Sequence, residues 1–494
     1  MFDYAVVGGG IGGVVSASLL SKMGRRVVLF EKLDYLGGCA GTFSKDGRLY
    51  NVGATTLVGI KDSLPLGVLL SLLGIDSLPV KPIDPAIVVY VNSKVINRYR
   101  DKSRSLEEIQ RSFYNRKNPY LWKEIFKTAD RNWKEIYSLL PFRASFLGLL
   151  RSGLKNIPFV IGGVRYNLTS AKKVITSYLG NIEDSYIMFL NSQILMTTQG
   201  YWDEVAFSTA SMGLSYPNLD NYYVLGGMGS IFNLLIRNIE SVYLRTSVKK
   251  IDKVKGIFRI HTNRGAFEAK RVILNKTIWD FCSLFDDDSL KLLCERYKKR
   301  YSKIWSSATL YFCVEDGNNL LDKHHYQILH SQENPYTGSY SFFVSLSDME
   351  DSSVSKDGWK SVTISTHCKI DRWTNLNMDE YEERKEMLRE FILQKLYEYI
   401  PIFKTLKKSE VMVGTPKSFQ RFTSRYGGSV GGLPLLLEYV PFRYPKNETP
   451  IQGVYLLGDT VFPGQGWPGV IVGVFNLLLQ IEKEFYGILH KHIK

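Results

Sequence analysis

A cluster of glycines near the start of the sequence, followed by one acidic residue, has the types and spacing needed to bind a dinucleotide. Gly8, Gly10 and Gly13 fit the pattern G-x-G-x-x-G, and Glu31 follows them. The first glycine permits a tight turn, the second lets the backbone approach a pyrophosphate, and the third lets a helix pack closely on a strand. Backbone N–H groups at the helix start would then bind phosphate, and the Glu31 carboxylate would accept hydrogen bonds from ribose hydroxyls.

The elements that must position these residues are also visible in the sequence. Ala5–Val7 is apolar and precedes the glycines, apolar residues at helical spacing follow them, and the apolar run Val27–Phe30 ends at Glu31. This order predicts a strand, a turn, a helix and a second strand. A carboxylate at position 31 would repel a 2′-phosphate, which disfavours NADP. The pattern by itself leaves FAD and NAD open.

Two further segments decide between these cofactors. Gly37-Gly38-Cys39 leads into Thr42-Phe43 and then Gly53, and Gly458-Asp459 leads into the run FPGQGWPGV, which ends at Val470. Together they resemble the amine-oxidase and phytoene-desaturase flavoproteins. Their residues are most similar to the motifs of carotenoid isomerases and retinol saturases. Many amine oxidases carry Arg where this chain has Cys39, so the chain departs from that branch.

The resemblance implies FAD, bound tightly and without a covalent link. It places Gly37 and Gly38 along the pyrophosphate and ribityl chain, the backbone of Val248 against the adenine, and Asp459 on the ribityl chain. A helix starting near Val470 would direct its N–H groups at the flavin, with Gln465 and Trp467 beside the ring. The complete predicted cofactor set is Gly8, Gly10, Gly12, Gly13, Glu31, Lys32, Gly37, Gly38, Thr42, Gly53, Val248, Gly458, Asp459, Gly466, Pro468 and Val470. We predict no metal site and identify no catalytic acid–base pair.

The composition indicates a globular protein with a basic surface. The chain has 494 residues, 45% of them hydrophobic and 22% charged, which suggests two or three domains. The net charge of +15 is spread along the chain without a nucleic-acid-binding signature, so we expect attraction to anionic lipid and no nucleic-acid partner.

The cysteines and the amino terminus bear on where the protein works. The five cysteines are odd in number and widely spaced, so neither a disulfide framework nor a zinc site is expected. The chain enters its first strand directly, without a signal peptide. We therefore expect a reduced, cytoplasmic protein. The histidines His324, His325 and His330 are expected to lie in a solvated loop.

We expect an α/β protein whose Rossmann-like FAD-binding domain is discontinuous and is joined by an α+β substrate domain with a helical, membrane-facing part. Short strands are expected at 86–91 and 94–99, a helix capped by Ser105, and a charged helix near 378–399. The predicted divisions are FAD-binding at 1–85, helical and substrate- or membrane-facing at 86–220, FAD-binding at 221–284, a substrate sheet at 285–410, and FAD-binding at 411–494.

Two segments raise the question of a membrane. Leu139–Ile161 is apolar but interrupted by Arg143, Arg151 and Lys155, which favours an amphipathic helix lying in one leaflet. A helix packed on the protein's own core explains that segment equally well. Thr460–Ile481 carries no charge and is long enough to span a bilayer, although its prolines and glycines argue against an unbroken helix. We expect peripheral attachment.

The resemblance implies an FAD-dependent oxidoreductase or isomerase acting on a long apolar polyene, a polyisoprenoid, by desaturation or by cis–trans isomerisation. An amine oxidase or protoporphyrinogen oxidase would share the same cofactor segments and take a smaller substrate. A non-catalytic, FAD-stabilised membrane scaffold is a third possibility. The sequence does not choose the oligomeric state.

Overall fold

The computed structural model describes residues 1–142, 165–440 and 443–493. Its strands are β1 (Phe2–Val7), β2 (Val27–Phe30), β3 (Thr42–Lys45), β4 (Arg48–Asn51), β5 (Leu57–Val58), β6 (Val80–Pro82), β7 (Ile87–Val91), β8 (Lys94–Arg98), β9 (Asn221–Val224), β10 (Ser241–Tyr243), β11 (Val248–Val254), β12 (Ile257–Thr262), β13 (Gly265–Leu274), β14 (Trp305–Glu315), β15 (His325–Leu329), β16 (Ser341–Leu346), β17 (Trp359–Lys369), β18 (Met412–Gly414) and β19 (Val454–Leu456).

The helices are concentrated between β8 and β9 and at the carboxyl end of the chain. They are α1 (Ile11–Lys22), α2 (Pro65–Leu73), α3 (Lys102–Ser112), α4 (Asn118–Glu135), α5 (Ala171–Leu179), α6 (Asp184–Thr198), α7 (Phe207–Leu214), α8 (Ser230–Leu235), α9 (Asp288–Arg300), α10 (Met378–Tyr399), α11 (Ile402–Thr405), α12 (Pro416–Thr423), α13 (Gly466–Ile481) and α14 (Phe485–His490).

The first sheet is the Rossmann-like part of the fold. Strands β10, β2, β1, β13 and β19 lie side by side and are all parallel. The long strand β13 pairs with β12 through its first half and with β19 through its second half, so a β11–β12 hairpin branches from the same sheet. Helices α1, α2 and α13 pack over one face in a shared apolar core that includes Val6, Leu29 and Ile273.

The second sheet is mixed and has the strand order β18-β14-β17-β16-β15-β7-β8. Only β15 and β7 run parallel within it. Helix α10 covers one face through Leu388, Ile392 and Leu396, all of which are fully buried. Helices α3 to α7 pack with β7 and β8 in a separate core around Trp122 and Phe189. Because β7 and β8 come from early in the chain and β14 to β18 from late in it, the sheet joins distant segments.

Several expectations about elements are confirmed and one is wrong. The strands expected at 86–91 and 94–99 are β7 and β8, and α10 has the expected bounds. The helix assigned to a Ser105 cap begins earlier, at Lys102, because the Asp101 side chain accepts a hydrogen bond from Arg104 N at 2.8 Å. Ser105 lies inside the helix, where its hydroxyl donates to the carbonyl of Tyr99.

The cysteine and histidine expectations need correction. Cys282 and Cys294 form a disulfide, although no disulfide was expected. They are 12 residues apart in sequence, but a 3-10 turn at Phe281–Leu284 and helix α9 bring their Cα atoms to 6.3 Å. A fully reduced chain is therefore not what the structure shows. His325 and His330 are buried rather than solvated, because His325 lies within β15 and His330 follows its end.

The membrane expectations have mixed outcomes. Within the described residues, no helix combines the length and the apolar character that crossing a bilayer requires. Thr460–Ile481 contributes α13, whose residues are largely buried against the first sheet. Nearly all of the Leu139–Ile161 segment lies outside the described residues, and Arg143, Arg151 and Lys155 lie outside them as well.

Candidate functional site

Four strands of the first sheet end at one edge, and the residues that follow them surround one cavity. Gly8 follows β1, Glu31 follows β2, Asn275 follows β13, and Gly458 lies two residues beyond β19. The carboxyl ends of parallel strands are where ligands bind in sheets of this kind. The order of strands thus brings the amino-terminal and carboxyl-terminal motifs together, as the sequence motifs require.

The glycine loop after β1 is tightly enclosed, so larger side chains are excluded. Gly8 has a φ of +101°, a conformation that favours glycine. A Cβ at Gly13 would lie 1.9 Å from the Gly8 carbonyl oxygen, and one at Gly10 would lie 2.6 Å from Asn275 Nδ2. The loop therefore packs so closely on Gly8 and Asn275 that only glycine fits at positions 10 and 13.

Two helix starts face the cavity without a side-chain cap. Helix α1 begins after Gly10 and helix α13 after Gln465, and neither preceding side chain caps its helix. Both beginnings line the cavity. Uncapped N–H groups and the positive end of the helix dipole favour a negatively charged group. The arrangement fits a cofactor with phosphate near α1 and an electron-rich ring near α13.

Glu31 is buried and holds the backbone around it. Its Oε2 accepts a hydrogen bond from Gly9 N at 2.7 Å, and its Oε1 accepts one from Leu33 N at 2.9 Å. Burial raises the pKa of Glu31, and these backbone hydrogen bonds oppose that rise. Because each carboxylate oxygen can accept more than one hydrogen bond, a ribose hydroxyl can still bind there.

Asp459 forms an ion pair that the sequence analysis did not predict. Arg425 Nη2 donates to both of its carboxylate oxygens, at 2.7 and 2.9 Å, and Arg425 Nε donates to the carbonyl of Ser429 at 2.6 Å. Burial opposes the charge on Arg425, but the Asp459 carboxylate outweighs that effect and raises the pKa of the guanidinium. The pair lies on the cavity wall, so a fixed positive charge stands beside the carboxylate assigned to the ribityl chain.

Lys276 is a second unpredicted cation on this wall. Burial lowers the pKa of its ammonium, while the neighbouring carboxylates of Asp280 and Glu31 oppose that change. It directly follows Asn275, whose side chain contacts the glycine loop. No local pattern marks Lys276 or Arg425, because each reaches the site only through the pairing of distant segments.

Most of the predicted cofactor residues line this one cavity. Those on its wall are Gly8, Gly10, Gly12, Glu31, Gly37, Gly38, Gly53, Gly458, Asp459, Gly466, Pro468 and Val470. Gln465 and Trp467 also line it, and Trp467 stacks on Phe232 with ring centroids 5.1 Å apart. The helix expected near Val470 begins at Gly466, one turn earlier.

The other four predicted residues are absent from the cavity wall. Gly13 packs α1 against β1, and Lys32 Nζ donates to Ser424 Oγ at 2.6 Å. The Thr42 hydroxyl accepts a hydrogen bond from Gly229 N and donates one to Asn51 Oδ1. Val248 begins β11 in the branch of the first sheet. Gly13 and Thr42 therefore support the loops that carry the wall.

The cavity extends well beyond the cofactor motifs. Its volume is about 1280 Å³, larger than the roughly 300–1,000 Å³ usual for a small-molecule pocket. One part lies between the second sheet and helices α4, α6 and α7. Apolar lining residues there include Trp133, Ile136, Met196, Ala206 and Met212. A site of this size has room for a dinucleotide together with a second large ligand.

The sheet side of this deeper part carries uncharged polar residues. Ser307, His367 and Ser365 lie on paired strands β14 and β17 and line the cavity. Burial lowers the pKa of His367 to about 4, so the imidazole is neutral at neutral pH. In the part of the chain that the structure describes, no group of three His, Cys, Asp or Glu side chains is placed to hold a metal ion.

A model for an NAD(P)-binding Rossmann-like domain matches residues 6–70. Prolycopene isomerase of Daucus carota is 26% identical, aligning with 94% of this chain and 77% of the relative. The lycopene-forming phytoene desaturase of Pantoea ananas is 23% identical, covering 95% of this chain and 97% of the relative. The chain is a homologue of the carotenoid isomerases and desaturases.

Solved structures of other proteins share the fold of this chain. A putrescine oxidase has a TM-score of 0.62 at 17% identity, with 99% of each chain covered. An oxidoreductase from Methanosarcina mazei has a TM-score of 0.61 at 20% identity, covering 96% of this chain and 99% of the other. At such identities the likeness carries the fold alone. It agrees with the Rossmann-like first sheet.

Proposed function

We propose that this protein is an FAD-dependent enzyme that desaturates a long apolar polyene, a polyisoprenoid, or isomerises its double bonds. The observation that carries the proposal is the single cavity, which runs from the glycine loop into a deep and uncharged space between the second sheet and the helices. The prolycopene isomerase and phytoene desaturase relatives support the same substrate class.

The residues around the glycine loop would hold the cofactor in defined parts. The loop at Gly8–Gly13 and the start of α1 suit the pyrophosphate, Glu31 suits the adenosine ribose, and the start of α13 suits the flavin ring. A bound flavin supplies reversible electron transfer at its ring. The Arg425–Asp459 pair would fix the ribityl chain and place a positive charge near it.

We also propose the division of the chain into cofactor and substrate parts as read from the sequence. Support comes from the first sheet, which takes strands from 2–30, 241–274 and 454–456. The second sheet and helices α3 to α7 would form the substrate part. The deep cavity lies where these parts meet, so the cofactor ring and the substrate chain would face each other there.

An amine substrate is less well matched by the lining. The charged residues on the described cavity wall are Glu31, Lys276, Arg425 and Asp459, and all four lie beside the cofactor motifs. A buried ammonium would need a carboxylate or another counter-charge. Apolar walls can bind a hydrocarbon unaided, since burial contributes about 0.8 kcal/mol per CH₂ group.

The reaction can be tested by anaerobic incubation of FAD-loaded protein with phytoene, with cis-lycopene and with a panel of amines. Flavin bleaching by phytoene would establish a desaturase. Conversion of cis-lycopene that requires prior chemical reduction of the flavin would establish an isomerase. Bleaching by amines without polyene conversion would contradict the proposed substrate class while leaving the fold intact.

The cofactor itself has a separate test. Purified protein should be yellow and should release FAD on denaturation, because the sequence resemblance implies a cofactor bound without a covalent link. Reconstitution with NAD but never with flavin would contradict the proposal.

We propose peripheral attachment to one leaflet of a membrane. The described residues Phe142 and Leu168, which flank residues 143–164, both line the cavity, so a membrane-borne substrate could enter beside that segment. The net charge of +15 supports attraction to anionic lipid.

Liposome flotation should rise with anionic lipid and fall with salt, and Arg151→Glu with Lys155→Glu should weaken it at unchanged flavin content. Retention that only detergent reverses would contradict peripheral attachment.

A further inference from the structure

A buried arginine in the substrate part interacts with two amide side chains. Arg98, at the end of β8, is fully buried. Its Nη1 donates to Gln193 Oε1 at 3.0 Å and its Nη2 donates to the carbonyl of Leu214. The guanidinium also lies over the rings of Trp122 and Phe189, 5.3 and 5.4 Å from their centroids. Burial lowers the pKa of Arg98 to about 9, which still leaves it charged at neutral pH.

The arginine determines which way both amides point. A guanidinium can only donate hydrogen bonds, so the Gln193 atom beside it must be the oxygen. Gln193 Nε2 therefore faces Gln327 and donates to Gln327 Oε1. This hydrogen bond also fixes the orientation of the Gln327 amide, because its oxygen accepts from Gln193. The Nε2 group of Gln327 is left facing away from the chain of hydrogen bonds.

Gln327 brings this oriented donor to the cavity. The residue is only 4% exposed and lines the cavity wall. Its Nε2 has no hydrogen-bond partner among the described residues. On the same sheet, Gln327 pairs with Phe343 and Phe343 pairs with Ser365, and both also line the cavity. An N–H donor on a cavity wall can donate to any ligand or water that offers it a lone pair.

The charge on the wall limits what this acceptor can be. The charged lining residues all belong to the cofactor end, and the described wall around Gln327 contributes none. A carboxylate bound there would be buried without a cation in contact, and an ammonium has no lone pair to offer the donor. A hydroxyl or carbonyl oxygen carries the required lone pair without a net charge.

We propose that Gln327, oriented by Gln193 and Arg98, binds an uncharged oxygen of the substrate, so that the preferred substrate is an oxygenated polyene rather than a pure hydrocarbon. This inference rests on the proposed function and assigns the polar contact of the same cavity. Gln327 is the residue that touches substrate, and Gln193 and Arg98 are positioning residues.

The test compares a linear polyene aldehyde with the same polyene ending in a methyl group, each titrated into FAD-loaded protein. Wild-type protein should bind the aldehyde about fivefold to tenfold more tightly, the usual worth of one hydrogen bond. The aldehyde's visible absorption should also shift to the red, because a hydrogen bond lowers the energy of a conjugated carbonyl's excited state. Gln327→Met should abolish both effects, and Gln452→Met, the same change at an exposed position away from the cavity wall, should keep them.

A second variant tests the orientation without removing Gln327. In Gln193→Glu, one carboxylate oxygen still accepts from Arg98 and the other calls for a donor, so the Gln327 amide must turn its oxygen to the cavity. The preference should then move from the aldehyde to the corresponding alcohol. Equal binding of both polyenes by wild-type protein, without an absorption shift, would overturn this inference alone. Failure to bind either polyene would overturn the proposed function with it.

Discussion

At the scale of single residues, the candidate site depends on side chains that bind the protein's own backbone. Glu31 accepts from Gly9 and Leu33, so it fixes the glycine loop and the turn after β2 at once. Arg425 joins Asp459 to the carbonyl of Ser429. Loss of either residue should therefore affect cofactor retention through position as well as through direct contact.

Glu31→Ala should weaken FAD retention by about tenfold to a hundredfold, the worth of a charge-assisted hydrogen bond. The measurement is the dissociation constant of FAD by fluorescence recovery on dilution. Asp34→Ala is the matched control, because Asp34 is an exposed acid in the same turn, paired only with Arg245 among the described residues. Equal retention by the Glu31→Ala variant and wild-type protein would exclude Glu31 from the cofactor site.

Arg425→Met should lower the free energy of unfolding of the cofactor-free protein by about 3 kcal/mol. The substitution leaves the mostly buried Asp459 carboxylate without the arginine that neutralises it. The double variant Arg425→Met with Asp459→Asn should recover part of that loss, because no unpaired charge remains. Chemical denaturation of the four proteins of the cycle gives the coupling energy. A coupling near zero would show that the ion pair contributes nothing to the folded state.

The glycines, Glu31 and the Gly458-Asp459 pair could be predicted because each lies in a short pattern whose residue types serve one geometry. Lys276 and Arg425 could not, since their places depend on how β13, β19 and the segment before β19 pack. The same holds for Gln193 and Gln327, which are 134 residues apart and meet only across the interface of α6 with the second sheet.

At the scale of elements, helices and strands with strong periodicity were predictable and their ends were less so. Helix α10 has both the charge pattern and a capping box at Asn377, so its bounds follow from local sequence. The start of α3 was misplaced because Asp101 caps it, one turn ahead of Ser105. The disulfide was missed because the spacing of cysteines along the chain does not predict their distance in space when a turn and a helix pack against each other.

The disulfide at Cys282–Cys294 gives a prediction about the turn before α9. Denatured, unreduced protein should show three reactive thiols, those of Cys39, Cys313 and Cys368, and five after reduction. Replacing both bonded cysteines by serine should lower the free energy of unfolding by about 3 kcal/mol, as expected for closing a loop of this length. Five thiols before reduction, in protein prepared without reductant, would contradict the bond.

At the scale of the whole molecule, two sheets meet at a cavity. The second sheet buries two neutral imidazoles, and that of His367 lines the cavity. Burial lowers the pKa of His367 to about 4 and that of His325 to about 3, from an ordinary value of 6.5. Both side chains lie on the second sheet, in β17 and β15. The unfolded chain takes up these protons at a higher pH than the folded one, so acid favours unfolding.

The free energy of unfolding should therefore fall as the pH is lowered from about 6.5 towards 4, by roughly 3 kcal/mol for each buried histidine. Urea denaturation at a series of pH values measures this slope. His367→Gln should flatten part of the curve, and His490→Gln, at an exposed position in α14, should leave it unchanged. A curve that is equally steep in the His367→Gln variant would show that this imidazole is not buried in the neutral form.

The shared strand β13 sets the order in which the protein can be completed during synthesis. Its outer edge at Val272–Leu274 is covered by Val454–Leu456, made 182 residues later. At about 5–20 residues per second, the ribosome takes roughly 10–40 s to supply that cover. Until then the nascent chain carries an unpaired strand edge and half a cofactor site. The emerging first half should therefore need protection from aggregation. A cofactor at the proposed site would make its full set of contacts only once the chain is finished.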